Sequence, residues 1–357
     1  MSSSFIAIDG ASHEGGGQIL RSALALSVVT GKPFRITAIR ANRPKPGLMR
    51  QHLAGVDALA AISGATVTGA APGSAELTFR PGKPRGGEYR VPVGTAGSTV
   101  LVAQALLPAL LAADAPSEVV IEGGTHNPHA PPFEFFAETF LPALRAMGAE
   151  VEASLESYGF YPAGGGRVRL RVQPWRTRTP FVSGLCSDAP VSLSAYALVA
   201  NLPGRIAERE LACLRDAVPS LGESDCAVLP VPSVGPGNLL GVRFTRGGST
   251  TVLSRPGERD LPCERVAKSV AAQTLRLVES PASVGEHLAD QLLAPMAMAG
   301  GGSFVAAGIT PHFEANAEVV RKFFPGLVLS HRRESRLNHP VSLTPTPVLR
   351  AISVPRG

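Results

Sequence analysis

Closely spaced cysteine pairs, long apolar runs and a regular glycine period are all missing from this sequence of 357 residues. The missing period excludes a collagen-like chain. The four cysteines are 27, 13 and 37 residues apart, so we predict free thiols rather than a structural zinc site, which uses close pairs. The most apolar stretch, residues 100–113, is interrupted by Gln104 and Pro108. It is shorter than the roughly 20 residues of a membrane-spanning helix, so no membrane association is predicted.

Charge and composition favour a globular protein with an anionic partner. Hydrophobic residues make up 44% and charged residues 17% of the chain, a balance that excludes intrinsic disorder. Lys and Arg outnumber Asp and Glu by 34 to 28, which favours a nucleotide or nucleic acid as the partner. The first residues lack a basic segment followed by an apolar one. We therefore expect a cytoplasmic protein, or a nuclear one in a nucleated cell.

Two stretches of the chain follow the same helix–strand–helix–strand plan. Apolar residues at helical spacing end at Gly31 and Gly64 in the first stretch and at Gly148 in the second. Asn42 and Asn127 are 85 residues apart, and Gly64 and Gly148 are 84 apart, so the register is close. Two amphipathic helices on one face of a small sheet would bury these apolar stripes.

A third unit is indicated by the helical pattern of residues 286–298 and the strand-like run 303–307. Gly148 and Gly300 are 152 residues apart, 68 more than the repeat of 84, so this unit contains an insertion. We predict a large domain of residues 1–182 and 278–357, with a smaller domain of residues 183–277 inserted. The candidate motifs lie outside 183–277, so we expect the insertion to stand apart from the active site.

The segment Glu14–Arg21 places three consecutive glycines directly before a helix pattern. Glycines let backbone amides approach an anion, and a helix N-terminus adds partial positive charge. Arg21 lies one turn into the helix, within reach of the same anion. Glu14 has no evident ion-pair partner, so beside a phosphate it would need a divalent cation between them. The alternative is a solvated tight turn with a surface glutamate.

Residues 40–52 place the cations Arg40, Arg43, Lys45 and Arg50 on a proline-stiffened loop between a strand and a helix. Arginine forks bind phosphate oxygens in pairs, so this loop suits phosphate recognition. A solvated basic loop is the alternative.

Two later segments carry further candidates. Residues 123–135 combine prolines and aromatic residues near a helix start, which suits a purine ring, although ordinary turn chemistry with a hydrophobic staple is the favoured explanation of this segment by itself. His312 follows a glycine-rich strand and starts a new helix pattern. A histidine in that position is a nucleophile, general base or metal ligand when functional, and otherwise a cap or a packed ring.

Taken together, these motifs resemble the catalytic branch of the RNA 3′-terminal phosphate cyclase family over nearly the whole chain. The segments that carry the resemblance are 14–21, 40–52, 159–166, 235–238, 288–297, and His312 with Asn316. The resemblance implies an α/β (α+β) fold. Three repeated units of two helices on a four-stranded sheet form its large domain, with a smaller inserted α/β domain. That agrees with the repeat and the insertion inferred from the spacing.

The resemblance also implies an activity: ATP-dependent conversion of an RNA 3′-terminal phosphate to a 2′,3′-cyclic phosphodiester, with release of AMP and pyrophosphate. His312 is the implied nucleophile, which forms a covalent histidyl-AMP before AMP passes to the RNA. The implied partners are ATP, RNA with a 3′-terminal phosphate, and a divalent metal (Mg or Mn) at Glu14. The implied nucleotide-binding residues are Gln104, Pro131, Phe135, His287, Asp290 and Gln291, and the implied RNA- or phosphate-binding residues are Arg21, Arg40, Arg43 and Gln51.

Two other functions stay open from the sequence. A non-catalytic branch of the same family assists ribosomal RNA processing, but it lacks the nucleophilic histidine that His312 would provide. An enolpyruvyl transferase has a related repeated fold, needs no covalent histidine, and would leave residues 40–52 without RNA to bind. A homodimer is also left open, because a dimer surface would not stand out from the other apolar stripes.

Overall fold

The computed structural model describes residues 4–94, 96–186, 188–332 and 338–345. The first unit is a four-stranded sheet with two helices. Its strands are β1 (Ile6–Asp9), β2 (Phe34–Thr37), β3 (Thr66–Thr68) and β4 (Leu77–Arg80), and its helices are α1 (Gly17–Thr30) and α2 (Arg50–Ser63). The strand order is β1-β2-β4-β3, with β1 parallel to β2 and the other pairs antiparallel. Both helices end at a left-handed glycine, Gly31 and Gly64, as the sequence predicts.

The second unit repeats this plan. Its strands are β5 (Gly87–Pro92), β6 (Ser117–Gly123), β7 (Val151–Ser157) and β8 (Gly166–Val172), and its helices are α3 (Thr99–Leu111), α4 (Phe133–Phe135) and α5 (Leu141–Ala146), with a π-helical turn at Phe136–Phe140 between the last two. The order β5-β6-β8-β7 and the pattern of parallel and antiparallel pairs are those of the first sheet.

The third unit has the same order but is interrupted after its first strand. Its elements are β9 (Phe181–Ser183), α8 (Glu286–Met298), β14 (Gly302–Ala306), α9 (Pro311–Phe323), β15 (Leu327–His331) and β16 (His339–Pro345). The order β9-β14-β16-β15, with β9 parallel to β14, matches the other two units. The predicted α/β (α+β) fold is therefore confirmed.

The chain between β9 and α8 forms a fourth sheet with two helices. Its elements are β10 (Val191–Ala200), α6 (Arg205–Ala217), a short 3-10 turn (Glu223–Asp225), β11 (Cys226–Pro230), β12 (Gly237–Arg246), β13 (Ser249–Pro256) and α7 (Cys263–Glu279). The strand order β11-β10-β12-β13 differs from that of the other sheets. The domain boundaries at 183 and 277 stay a prediction, and residues 346–357 of the predicted large domain lie outside the described residues.

Helices from the three repeated units share one core. α1 packs against α2, α3, α8 and α9, and Leu24, Leu106 and Leu292 on three of these helices are at most 1% exposed. Burying a leucine side chain contributes about 2 kcal/mol, so these contacts hold the units together. A separate apolar cluster joins α6 and α7 to β10 and β12. Because α1 is central, the loop before it lies beside segments from the third unit. No helix in the described ranges is long and apolar enough to cross a membrane.

Candidate active site

The N-terminus of α1 is open to an anion. Gly16 precedes the helix in extended conformation, no side chain caps it, and the first turn carries no acidic residue. The first backbone N–H groups of a helix have no intrahelical acceptor, and the helix dipole adds positive potential there. Gly15, with φ of 57°, adopts the left-handed turn that leads into this position.

Glu14 joins two motifs that are far apart in the sequence. One carboxylate oxygen, Oε1, accepts a hydrogen bond from Arg43 Nη2 at 2.8 Å. The other, Oε2, lies 2.9 Å from His312 Nδ1. The expectation that Glu14 lacks an ion-pair partner is therefore wrong, because the loop after β2 folds back over the glycines. All three side chains are about one-third to two-fifths exposed, so a substrate can reach them.

Two residues with left-handed backbone conformation determine the path of the loop after β2. Strand β2 ends at Thr37, because Ala38 and Arg40 have φ of 52° and 54°. The Arg40 guanidinium donates to the carbonyl oxygens of Lys45 and Gly47, at 2.6 and 3.0 Å, and so holds the loop together. Its predicted contact with phosphate stays a prediction.

Arg21 and His52 meet beside the first residue of α1. A Cβ atom placed on Gly17 would lie 2.3 Å from His52 Nε2 and 3.2 Å from Arg21 Nη1. A side chain at residue 17 would therefore displace the His52 ring, and both side chains lie close to Gly17. His52 belongs to the basic segment 40–52, but no pattern along the chain predicts that it lies beside Gly17.

Asp290 on α8 is buried next to this region. It is 6% exposed, and its Oδ1 has no hydrogen-bond partner among the described residues. Burial raises the pKa of Asp290 to about 8, and the nearby Arg21 opposes that rise. Burial also lowers the pKa of Arg21 to about 10, with Asp290 opposing. A buried carboxyl with a free oxygen is suited to contacting a bound polar group.

Replacing Asp290 by Asn should change how stability depends on pH. A carboxyl whose pKa is higher in the folded than in the unfolded state binds a proton on folding, so stability falls as pH rises from about 4 to about 8. The variant lacks this loss. Its Tm relative to the native chain should therefore rise between pH 5 and pH 8.5. If the Tm values of Asp290→Asn and the native chain differ by the same amount at every pH, the raised pKa of Asp290 is refuted.

Three predicted glutamines make contacts between elements. Gln51 Oε1 accepts a hydrogen bond from the backbone N–H of Ser98 at 2.8 Å, which ties α2 to the start of α3. Gln104 on α3 donates to Gln291 on α8. Asn316 on α9 donates to the backbone oxygen of Asp290 at 2.8 Å. The structure therefore brings α3, α8 and α9 together around the predicted nucleotide-binding residues.

A small pocket of about 30 Å³ lies beside Phe135 and His287, two of the predicted nucleotide-binding residues. Its other walls come from both sides of the fold: Thr251, Val252, Leu253, Gln273, Arg276 and Leu277 on one side, and Gly285, Glu286, Leu288 and Ala307 on the other. Six lining residues fall within 183–277, so this segment contacts two predicted nucleotide-binding residues, and its separation from the active site stays a prediction. Pro131 lies outside this lining, just before α4.

The predicted metal finds little support in the geometry. Residues 4–94, 96–186, 188–332 and 338–345 contain no group of three His, Cys, Asp or Glu side chains placed to hold a metal ion. Both oxygens of Glu14 already contact protein groups. The four cysteines are free thiols, as predicted. His126, in the second unit, is buried, and its Nε2 lies 2.9 Å from Oε2 of Glu134.

Comparison with known proteins places this chain in a family. Residues 12–327 match the family model described as RNA 3′-terminal phosphate cyclase. Curated proteins named RNA 3′-terminal phosphate cyclase are 49% identical over 324 residues in Ectopseudomonas mendocina (strain ymp), covering 90% of this chain and 94% of the relative. In Koribacter versatilis (strain Ellin345) the identity is 48% over 320 residues, covering 90% of each chain. In Ralstonia nicotianae (strain ATCC BAA-1114 / GMI1000) the identity is 49% over 320 residues, covering 90% of this chain and 92% of the relative.

One solved structure, the enolpyruvyl transferase NikO from Streptomyces tendae, is 11% identical with a TM-score of 0.35. The match covers 94% of this chain and 47% of the transferase chain, and the similarity is too weak to support a conclusion. The matches over nearly the whole chain define an enzyme, as the sequence predicts. The chain belongs to the RNA 3′-terminal phosphate cyclase family.

Proposed function

We propose that this protein converts the 3′-terminal phosphate of RNA to a 2′,3′-cyclic phosphodiester at the expense of ATP, with His312 as the nucleophile. The observation that carries the proposal is the 2.9 Å contact between Glu14 Oε2 and His312 Nδ1. A carboxylate at this distance accepts a hydrogen bond from the Nδ1–H of a neutral imidazole, which leaves the lone pair on Nε2 for attack. The names of the relatives support the substrate class.

The surroundings of His312 keep it ready for attack. It is the second residue of α9, whose first turn is capped by the Thr310 hydroxyl, the acceptor for the N–H of Phe313 at 3.1 Å. Burial lowers the pKa of His312 below its usual value, and the nearby cations Arg21 and Arg43 act in the same direction. Glu14 acts in the opposite direction. The imidazole is therefore mostly neutral near pH 7, as a nucleophile must be.

The reaction proceeds in three displacements. His312 Nε2 bonds to the α-phosphorus of ATP, and the bond to pyrophosphate breaks. An oxygen of the RNA 3′-phosphate then bonds to the same phosphorus, and the bond to His312 breaks. Last, the RNA 2′-hydroxyl oxygen bonds to the terminal phosphorus of the RNA, its proton passes to solvent, and AMP leaves. The 2′-hydroxyl is adjacent on the same ribose, so this last step gains from proximity.

The residues around His312 fit ATP and an RNA phosphate. The free Oδ1 of Asp290 would contact the nucleoside, and the aromatic ring of Phe135 would supply an apolar contact. Arg21 and Arg43, near the open N-terminus of α1, would stabilise charge that develops on phosphate oxygens. We assign Gln51, Gln104 and Gln291 to positioning within this site, because each contacts a neighbouring element.

The residues do not fit a metal held by the protein. Glu14 is a single carboxylate whose oxygens contact Arg43 and His312. Mg²⁺ in nucleotide sites is held by one or two carboxylates together with substrate phosphates and water, so the protein groups alone would supply at most one ligand here, Glu14. The proposal therefore contains no step through a metal, and Mg or Mn at Glu14 stays a prediction. A homodimer and a cytoplasmic location also stay predictions.

Enlarging Gly17 should weaken phosphate handling. A Cβ there would overlap His52 and press on Arg21, and overpacking of this kind costs about 1–3 kcal/mol. We expect Gly17→Ala to lower kcat/KM about 10- to 100-fold. The matched control is Gly55→Ala in α2, where nothing lies within 4 Å of an added Cβ. Equal activity of the two variants would show that the space beside Gly17 is not used.

The direct test of the function is a product assay. The purified protein is incubated with ATP and RNA that ends in a 3′-phosphate, and the RNA end is analysed for resistance to phosphatase. We expect a cyclic end, with one AMP and one pyrophosphate per RNA. The same RNA with a 3′-hydroxyl should remain unchanged. An unaltered 3′-phosphate would favour the non-catalytic branch of the family.

A further inference from the structure

His52 is held by the backbone at the start of α2. Its Nδ1 accepts a hydrogen bond from the N–H of Met49 at 3.1 Å. An imidazole nitrogen that accepts a hydrogen bond carries no proton, so the neutral ring has its proton on Nε2. The start of α2 therefore fixes both the ring orientation and the tautomer.

The charges around His52 keep it neutral. Burial lowers the pKa of His52 to about 3, and the adjacent cations Arg21 and Arg40 lower it too. The ring therefore carries one N–H donor and no charge at any pH where enzymes of this kind are assayed. A donor of this kind can bind an anion without adding another cation to a site that already contains several.

Nε2 of His52 lies beside Gly17, the first residue of α1. It lies 2.3 Å from the position of a Cβ on Gly17, and Arg21 Nη1 lies 3.2 Å from the same point. Two side-chain donors thus converge where the first backbone N–H groups of α1 are also uncapped. No acceptor for Nε2 is present in the part of the chain that the structure describes.

We propose that the Nε2–H of His52 donates a hydrogen bond to a phosphate oxygen of bound substrate, next to Arg21. This inference rests on the proposed function and adds a binding residue to it. The oxygen belongs either to ATP or to the 3′-phosphate of RNA, which share the same chemistry. His52 therefore has two separable roles, a cap through Nδ1 and a ligand through Nε2.

Two substitutions separate these roles. In His52→Asn the side-chain oxygen takes the place of Nδ1 and keeps the hydrogen bond from Met49, but the donor is lost. In His52→Gln the amide nitrogen takes the place of Nε2 and keeps the donor, but the cap is lost. We expect His52→Asn to lower kcat/KM about 10- to 100-fold with an unchanged Tm, and His52→Gln to restore most of the activity despite a lower Tm. Native activity in His52→Asn would overturn the proposal.

Two assays identify the phosphate. If the oxygen belongs to ATP, His52→Asn should raise the KM for ATP in self-labelling with α-labelled ATP. If it belongs to RNA, labelling should remain and cyclisation alone should fall. Inorganic phosphate and pyrophosphate give a readout that does not depend on the reaction. They should raise the Tm of the native chain more than that of His52→Asn, and an equal rise in both would overturn the proposal even if the native chain cyclises RNA.

Discussion

Replacing His312 by Asn is expected to abolish covalent labelling of the protein by α-labelled ATP. The asparagine amide can still donate to Glu14 where Nδ1 does, at 2.9 Å in the native chain, so the loop before α1 should stay in place. What disappears is the Nε2 lone pair, and neither an amide nitrogen nor its oxygen can replace it as a nucleophile. Labelling should fall to background and the Tm should change little.

The control for this prediction is another histidine near α9. His331 lies 3.2 Å from Glu314 through Nε2 and packs against Phe313, but it does not contact Glu14. His331→Asn should therefore label like the native chain. His312→Asn should still cyclise RNA that is supplied with its 3′-phosphate already adenylylated, because the last displacement needs only the 2′-hydroxyl and the phosphate site. Persistent labelling of His312→Asn would contradict the assignment.

Glu14→Ala is expected to lower labelling about 100-fold. The substitution removes the acceptor that orients His312 and releases Arg43 from its 2.8 Å hydrogen bond, and each charge-assisted contact is worth about 1.5–3 kcal/mol. Glu14→Gln keeps an oxygen acceptor and should lose less. The matched control is Glu318→Ala on α9, a carboxylate of similar exposure that pairs with His13 and Lys322 instead.

The pH profile of the Glu14 variant distinguishes orientation from metal binding. Glu14 opposes the fall in the pKa of His312, so removing it should lower that pKa further. The imidazole then stays neutral to lower pH, and the acidic limb of the labelling rate should move to lower pH. The requirement for divalent ions should be unchanged. A higher divalent-ion requirement with an unmoved acidic limb would assign Glu14 to a metal instead.

The sequence predicts the repeated architecture because its signals are local. Left-handed glycines such as Gly31 and Gly64 end helices in fixed register, and apolar residues at helical spacing mark buried faces. The helix at Glu286–Met298 is predicted to the residue. The family resemblance then identifies His312 and Glu14, although not the contact between them.

The features of the site that the sequence does not predict depend on contacts between segments that are far apart in the chain. The pair of Glu14 and Arg43 requires left-handed backbone at Ala38 and Arg40, which neither residue type favours. The position of His52 beside Gly17 depends on how α2 packs against α1. The wall of the pocket formed by residues 251–277 depends on how the fourth sheet lies against α8. None of these contacts leaves a periodic pattern along the chain.

The position of the AMP adduct in the native chain tests most directly whether His312 is the nucleophile. The protein is incubated with ATP in the absence of RNA and digested at mildly alkaline pH, which preserves phosphoramidates, and the modified peptide is sequenced by mass spectrometry. We expect one AMP on His312, lost when RNA with a 3′-phosphate is added. An adduct on His52, His126, His129 or His287, or cyclisation of RNA with no adduct at all, would contradict it.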